Sequence, residues 1–217
     1  MKKFSQEEHR VIRRTSGSLR QRFRRRRYLR IRDLVRIESL AGFILDLGGG
    51  PASFFAAMFP RPEQVILLDI DYNRACQAKQ KRPVLHVIVA DGGRLPLADC
   101  SVDMTVCNSV IEHVDDPDAL AAEIRRVSQG FFLQVPHEGF PLETHSFIAI
   151  PFYNLIPWIW LRRFVCKVFG ANFEYVSSVR YLPEQRLKLL FPEATIAYEK
   201  VLGLKKSFYV YHLNRYT

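Results

Sequence analysis

Leu45-Asp46-Leu47-Gly48-Gly49-Gly50-Pro51-Ala52 is the stretch on which the fold turns. With Phe43 and Ile44 it forms a short apolar run that ends in a glycine cluster. It passes directly into Ala52–Phe59, which has the character of a short helix. Glycines at such a junction let the backbone turn sharply and approach a ligand closely. The helix start beyond them offers unpaired N–H groups. A glycine cluster alone is equally an ordinary tight turn. The next apolar run, Val65 to Asp69, changes the balance, because it closes on an acid 19 residues after Gly50. An acid at that strand end can accept both hydroxyls of a ribose, in the crevice outside the carboxyl ends of an α/β sheet.

The alternation continues outward from this pair. Tyr72–Lys79 reads as a polar helix, Leu85–Val89 as a third strand and Met104–Cys107 as a fourth. Asp116-Pro117 starts a helix, the Asp as cap and the Pro in the first helical position. Leu120, Ile124 and Val127 form its apolar stripe, and Phe131–Val135 is a fifth strand. Strands alternating with helices predict an α/β protein with a parallel sheet and helices on both faces. Near-continuous apolar strands are those buried on both sides, and right-handed crossovers narrow the topology. Residues 137–182 interrupt this rhythm. Beyond them Pro183–Phe191 reads as a helix with Leu187, Leu190 and Phe191 inward. Thr195–Val201 and Phe208–Leu213 read as an antiparallel hairpin at the sheet edge.

The spacing Asp46-x-Gly48-x-Gly50-x-Ala52 differs from the GxGxxG of dinucleotide sites. It resembles motif I of the class I S-adenosylmethionine-dependent methyltransferases, D/E-x-G-x-G-x-G, with Ala52 in place of the third glycine. Ala90-Asp91-Gly92-Gly93-Arg94-Leu95-Pro96-Leu97-Ala98-Asp99-Cys100-Ser101-Val102-Asp103 looks like the family stretch GDAxxLPFxDxSFD. Asn108-Ser109-Val110-Ile111-Glu112-His113-Val114 looks like its xxxLEHV. With Asp116-Pro117 these blocks run in order over residues 43–135, as in the type-11 methyltransferase subgroup. The resemblance implies a Rossmann-like, seven-stranded, mostly parallel sheet of order 3-2-1-4-5-7-6, with an antiparallel C-terminal strand. It also implies S-adenosylmethionine as cofactor and a methyl acceptor nucleophile of O, N or C. By the same resemblance Gly48 and Gly50 line the methionine part of the cofactor. Asp46 orients that loop or bonds near the amino group. Asp69 holds the ribose. Asp91 accepts from the adenine amine with Gly92 beside the ring, and Asn108 lies near the methionine moiety.

Methyl transfer depends chiefly on holding an in-line nucleophile close, and a base helps where the acceptor must lose a proton. The candidate bases are His113, His137, Glu143 and His145. For His113 the alternative is a role in shaping its loop. For the others the alternative is polar contacts or loop structure. Ser109-Val110-Ile111-Glu112-His113 lacks the first acid of the ExxEH carried by ubiquinone-pathway O-methyltransferases, so no metal is expected.

The 217 residues suffice for one domain with an appendage and need no disulfide staples. The hydrophobic share of 48% and mean hydropathy of −0.08 exclude a disordered chain and a multi-span membrane protein. Residues 1–40 carry fourteen Lys/Arg against four Asp/Glu, whereas residues 41–217 carry eighteen of each. The net charge of +10 therefore belongs to the N-terminal segment. We divide the chain into a basic extension and helix, 1–40, and a methyltransferase domain, 41–217, with an acceptor lid at 137–182. The run Arg24–Arg27 reads as too charged for a core, on a helix (Leu19 to about Leu40) that docks through Ile31, Leu34 and Val35. Its readings are a solvated tail, contact of residues 20–36 with an anionic membrane, or contact with nucleic acid.

The stretch Phe147–Leu161 is apolar but broken by Pro151 and Pro157, and too short to span a bilayer. It is a cap helix over the site, an acceptor channel or a surface that touches a membrane, with Arg162, Arg163 and Lys167 following. Cys76, Cys100, Cys107 and Cys166 have no CxxC spacing and read as reduced thiols. No apolar leader follows the basic start, so a cytoplasmic location is expected, peripheral at the membrane if the basic helix binds lipid. The expected acceptor is small or lipid-linked. The competing functions are an RNA methyltransferase and a non-catalytic basic adaptor that keeps the nucleoside pocket.

Overall fold

A computed structural model of the chain describes residues 19–140, 142–143, 150–151, 156–168, 173 and 179–213. It begins with helix α1 (Leu19–Val35) and a 3-10 turn, Ile37–Ser39. Then follow β1 (Ile44–Leu47), α2 (Phe54–Met58), β2 (Val65–Asp69), α3 (Tyr72–Lys81), β3 (His86–Val89), β4 (Val102–Asn108), α4 (Pro117–Val127) and β5 (Ser128–Pro136). A two-residue antiparallel hairpin, β6 (Leu142–Glu143) and β7 (Ile150–Pro151), precedes α5 (Ile159–Val168), α6 (Glu184–Leu190), β8 (Thr195–Val201) and β9 (Leu204–Leu213).

Seven strands make one sheet in the order β3-β2-β1-β4-β5-β9-β8. The first five are parallel; β9 runs antiparallel to them, and β8, antiparallel to β9, shares the direction of the first five. This is the order the family resemblance implies, with β9 and β8 as its seventh and sixth strands. β1 lies at the centre of the parallel part, its Asp46 opposite Leu67 of β2 and Val106 of β4. The carboxyl ends of β1, β2 and β4 therefore open on one edge of the sheet.

Both faces are covered. On one, Leu120, Ile124 and Val127 of α4 and Leu187 and Leu190 of α6 pack with Phe191 onto Leu45, Leu47, Phe131 and Leu133. On the other, Tyr28, Ile31 and Val35 of α1, Phe54 and Phe55 of α2 and Ala78 of α3 pack onto Ile44, Leu67, Val106, Phe132 and Tyr209. A fully buried side chain of this size contributes roughly 2 to 3 kcal/mol. Helix starts follow their caps: Ser53 Oγ accepts from the Ala56 N–H, Asp71 from Arg74, and Asp116 from Asp118 and Ala119.

One local expectation is corrected. The run Arg24–Arg27 is not wholly solvated. Arg27 turns inward, its side chain 12% exposed, where it meets Glu199 at 3.2 Å. An arginine enters this interior because a carboxylate from β8 waits there, which residues 20–36 cannot reveal. Arg25, Arg26 and Arg30 of the same helix are exposed. Among the described residues no helix is long and apolar enough to cross a membrane.

Candidate functional site

The turn after β1 is built around two left-handed residues, Gly48 at φ 71° and Gly50 at φ 58°. The Gly48 N–H donates to the Leu68 carbonyl at 2.7 Å, tying the turn to β2. A Cβ at Gly48 would stand 2.5 Å from Val110 Cγ2, so the loop after β4 closes directly on the turn. A Cβ at Gly50 would stand 3.2 Å from Asp69 Oδ2. The glycine turn and the strand-end acid thus converge, as the sequence predicts, and a side chain at Gly50 would enter the space between them.

Asp46 is buried beneath this turn and accepts the Ser53 hydroxyl, whose oxygen in turn caps α2. Burial pushes the Asp46 carboxyl up to about 6; the Ser53 hydrogen bond and the Arg82 charge oppose this, and the Asp69 charge adds to it. Asp69 is also buried. Its Oδ1 accepts the Asp71 N–H at 3.0 Å and its Oδ2 accepts Arg74 Nε at 3.1 Å. The same guanidinium covers Gly50, since a Cβ there would lie 2.5 Å from an Arg74 Nη.

The Ala90 N–H donates to the Asp69 carbonyl at 3.3 Å, which brings the next loop alongside. Asp91 is exposed there, and its Oδ1 accepts the Gly93 N–H at 2.8 Å. Gly92 lies against Leu120 and Leu47, where a Cβ would stand 2.7 Å from Leu120 Cδ1. Asn108 ends β4 opposite Gln134, and its Oδ1 accepts Arg27 Nη1 at 2.8 Å. Asp46, Gly48, Gly50, Asp69, Asp91, Gly92 and Asn108 are therefore all distributed along one edge of the sheet.

The candidate bases are less uniform. His113 is half-buried in the 3-10 turn Ile111–His113 that follows β4. His137 follows β5; its Nδ1 accepts the Gly139 N–H at 3.0 Å and its ring packs on Phe208 at 4.9 Å. A neutral imidazole that accepts at Nδ1 carries its proton on Nε2. In this arrangement His137 offers a donor rather than an acceptor. Glu143 lies in β6, its side chain outside what is described, and His145 lies outside the described residues. Among the described residues, no group of three or more His, Cys, Asp or Glu is placed to hold a metal ion.

Sequence reasoning missed Ser53, Arg74 and Arg27. Arg74 had a signal: it lies five residues past Asp69, in the first turn of a helix capped by Asp71, and so points back at the strand end. Arg27 had none, because its partners are 81 and 172 residues away. A groove of about 630 Å³ between α3 and β3, lined by Tyr72, Cys76, Lys79, His86 and Ile88, runs along the open sheet edge and includes none of the glycine turn.

The cradle suits a nucleoside with a cationic arm. Asp69 can accept a diol, the glycines leave room for backbone contact, and the buried carboxyl of Asp46 would gain from a nearby positive charge. Comparison with known proteins agrees. Residues 45–133 match the family model described as a methyltransferase domain. An uncharacterized methyltransferase of Mycobacterium ulcerans (strain Agy99) is 41% identical over 99 residues, 44% of this chain and 38% of that protein. A malonyl-(acyl-carrier protein) O-methyltransferase of Methylovorus sp. (strain MP688) is 34% identical over 123 residues, 52% of this chain and 41% of that protein. The matched stretch is thus well under half the length of these curated relatives.

Among solved structures, an S-adenosylmethionine-dependent methyltransferase from Mesorhizobium loti superposes with a TM-score of 0.54 at 15% identity, over 78% of this chain and 89% of that one. The N-terminal domain of EvdMO1 with SAH bound gives 0.53 at 18% identity, over 90% and 83%. At these identities the likeness is one of fold.

Proposed function

We propose, from the match of residues 45–133 to the methyltransferase-domain family model, that the chain binds S-adenosylmethionine and transfers its methyl group to an O, N or C nucleophile of a small or lipid-linked acceptor. The observation that carries this reading is the convergence of Gly50, at φ 58°, with the Asp69 carboxylate, 3.2 Å from where a Cβ would stand. A ribose that bonds to Asp69 here would take the place of the Arg74 guanidinium, which now lies over Gly50.

When bound, the cofactor supplies an activated methyl on a cationic sulfur. The chain's own residues bind and orient. Asp69 would accept the ribose hydroxyls and Asp91 the adenine amine. Gly48 and Gly50 would present backbone to the methionine arm, and Asp46 would hold the turn through Ser53. Asn108, held by Arg27, would face the same arm. The malonyl-(acyl-carrier protein) relative supports the reaction class; the acceptor of this chain is a separate matter, because the similarity stops short of residues 137–182 in the family match.

Calorimetric titration of S-adenosylmethionine into the wild type and into Asp69→Ala tests the reading. Micromolar binding that falls at least about tenfold in the variant is expected, for the loss of a charge-assisted contact to the diol. Absence of binding by a folded wild type would overturn it.

A further inference from the structure

We propose that α5 (Ile159–Val168) is an interfacial anchor that lies along the surface of an anionic lipid bilayer, a role that goes beyond methyl transfer and does not depend on it. The helix faces the wrong way for a core element. Trp160, Phe164 and Val168, at i, i+4 and i+8, form one stripe and are 65%, 60% and 63% exposed. Trp158 and Ile159 extend the exposed apolar surface at the helix start, and the two indoles stack with centroids 6.3 Å apart. Cys166 is the side chain turned inward, packed with Ile156, Val165 and Phe173. A helix that served only as a cap over the site would present its large apolar stripe to the domain. Here that stripe is presented to the surroundings.

The charges beside the stripe identify the occupant. Arg163 and Lys167, four residues apart, are exposed on the same outward half of the helix, and the segment Ile159–Val168 holds no acid. The Arg163 guanidinium is 5.0 Å from the centroid of the Phe173 ring, while the residue as a whole stays exposed. Arg162 Nε donates to the Ile156 carbonyl at 2.6 Å and pins the start of the helix. Cations flanking an apolar stripe, with tryptophan at one end, match the boundary between headgroups and acyl chains: rings and aliphatic groups enter, and long basic stems reach back to the phosphates. Ten residues of helix measure about 15 Å, half a bilayer core, so the helix can lie in the interface and cannot span. A single-stranded nucleic acid would use the rings and the cations but would leave Val168 and Ile159 without a role, since bases stack on aromatic faces.

Vesicle co-sedimentation of the full chain tests this, with phosphatidylcholine alone and with phosphatidylcholine plus phosphatidylglycerol. The expected result is binding to the anionic vesicles, with a blue shift of tryptophan emission. Trp160→Ala/Phe164→Ala should lose at least tenfold in partitioning. Arg163→Ala/Lys167→Ala should lose on the order of 30-fold, and only on anionic vesicles. All four side chains are exposed, so circular dichroism and S-adenosylmethionine binding should be unchanged, which separates this outcome from a failure of the methyltransferase reading. The proposal is overturned if the wild type does not sediment with anionic vesicles. It is also overturned if sedimentation survives both α5 variants and is lost in Arg25→Glu/Arg26→Glu, which would move the contact to α1. Binding of a labelled single-stranded RNA that depends on α5, without vesicle binding, would overturn it in favour of nucleic acid.

Discussion

Arg74 Nε donates to Asp69 Oδ2 at 3.1 Å, so the acid expected to hold a ribose is already held by a guanidinium that lies over Gly50. The two partners differ in freedom: the Arg74 side chain is 51% exposed and that of Asp69 6%. Arg74 is therefore the member that can leave. A half-exposed charge-assisted hydrogen bond of this kind contributes about 1 kcal/mol after screening. Arg74→Ala should thus raise S-adenosylmethionine affinity about fivefold, because the ligand no longer displaces it. Asp69→Ala should lower affinity. Calorimetry on both variants checks this, and a fall in affinity for Arg74→Ala would mean the arginine works with the ligand rather than against it.

Asp46 gives the stability of the domain a pH signature. Burial raises its carboxyl from 3.8 to about 6, against the Ser53 hydrogen bond and the Arg82 charge. A raised folded-state value means the neutral form is favoured by folding. That contribution is complete below about pH 4 and is lost as pH rises through about 6. Asp46→Asn, which keeps an oxygen for Ser53, should match the wild type near pH 4. It should exceed the wild type above pH 6, by up to about 3 kcal/mol. Urea unfolding at the two pH values measures the difference; equal stabilities at pH 7.5 would refute the buried-acid account.

Much of this architecture is legible in the sequence because it is governed by local rules. Val65–Asp69 and Ile44–Leu47 are apolar but for Asp69 and Asp46, and are buried throughout. Asp116-Pro117 begins α4 where capping requires. Strand ends are less legible. β4 starts at Val102 and β5 at Ser128, earlier than their apolar runs, because pairing between Val102 and Ser128 sets the limit. β9 starts at Leu204, since the hairpin turns tightly on Leu202 and Gly203, both at positive φ. At the site, Asp69 follows from its spacing to the glycine turn, and Asp46, Gly48 and Gly50 from the resemblance to the family motif. Their partners Ser53 and Arg74 emerge only when the helices α2 and α3 bring them round. The direction in which α5 faces is likewise a tertiary fact, invisible in a run of mixed Trp, Phe and Arg.

Gly48 and Gly50 both have positive φ, yet their substitution should have different consequences. A non-glycine residue there costs roughly 1 to 2 kcal/mol from the backbone alone. At Gly48 the new methyl also strikes Val110, a branched side chain 2.5 Å away on the packed loop after β4. At Gly50 it meets the end of the flexible Arg74 side chain, which can move aside. Gly48→Ala should therefore destabilise by about 3 kcal/mol, and Gly50→Ala by about 1 kcal/mol. Gly50→Ala should nonetheless bind S-adenosylmethionine at least tenfold more weakly, since the methyl takes the space between the turn and Asp69. Thermal unfolding beside calorimetry separates the two; equal losses of stability would contradict the contacts described.

Arg27 joins the N-terminal helix to the site through a two-pronged contact, Nη1 to Asn108 Oδ1 at 2.8 Å and Nη2 to Glu199 Oε2 at 3.2 Å. Glu199 is buried and is also reached by the Ser207 hydroxyl at 3.0 Å and by Lys206 Nζ at 3.6 Å. Burial works to raise its carboxyl, but the Arg27 and Lys206 charges more than offset this and hold it below the usual value. A depressed carboxylate stabilises above its unfolded value and loses that contribution as pH falls through the lowered one. Arg27→Ala removes one of the two cations and leaves the other. It should cost about 2 kcal/mol at pH 7, less than the full penalty of an orphaned buried charge. The loss should shrink as pH falls through the lowered value of Glu199, below which the carboxyl is neutral in both proteins. Arg27→Lys has one head for two acceptors and should recover the Glu199 part without the Asn108 part. Its stability should then approach the wild type while S-adenosylmethionine affinity stays reduced, because Asn108 is no longer held. Urea titrations from pH 7 downward into the acid range, with calorimetry on the Lys variant, decide it. A Lys variant that binds as tightly as the wild type would show that Arg27 serves the fold and not the site.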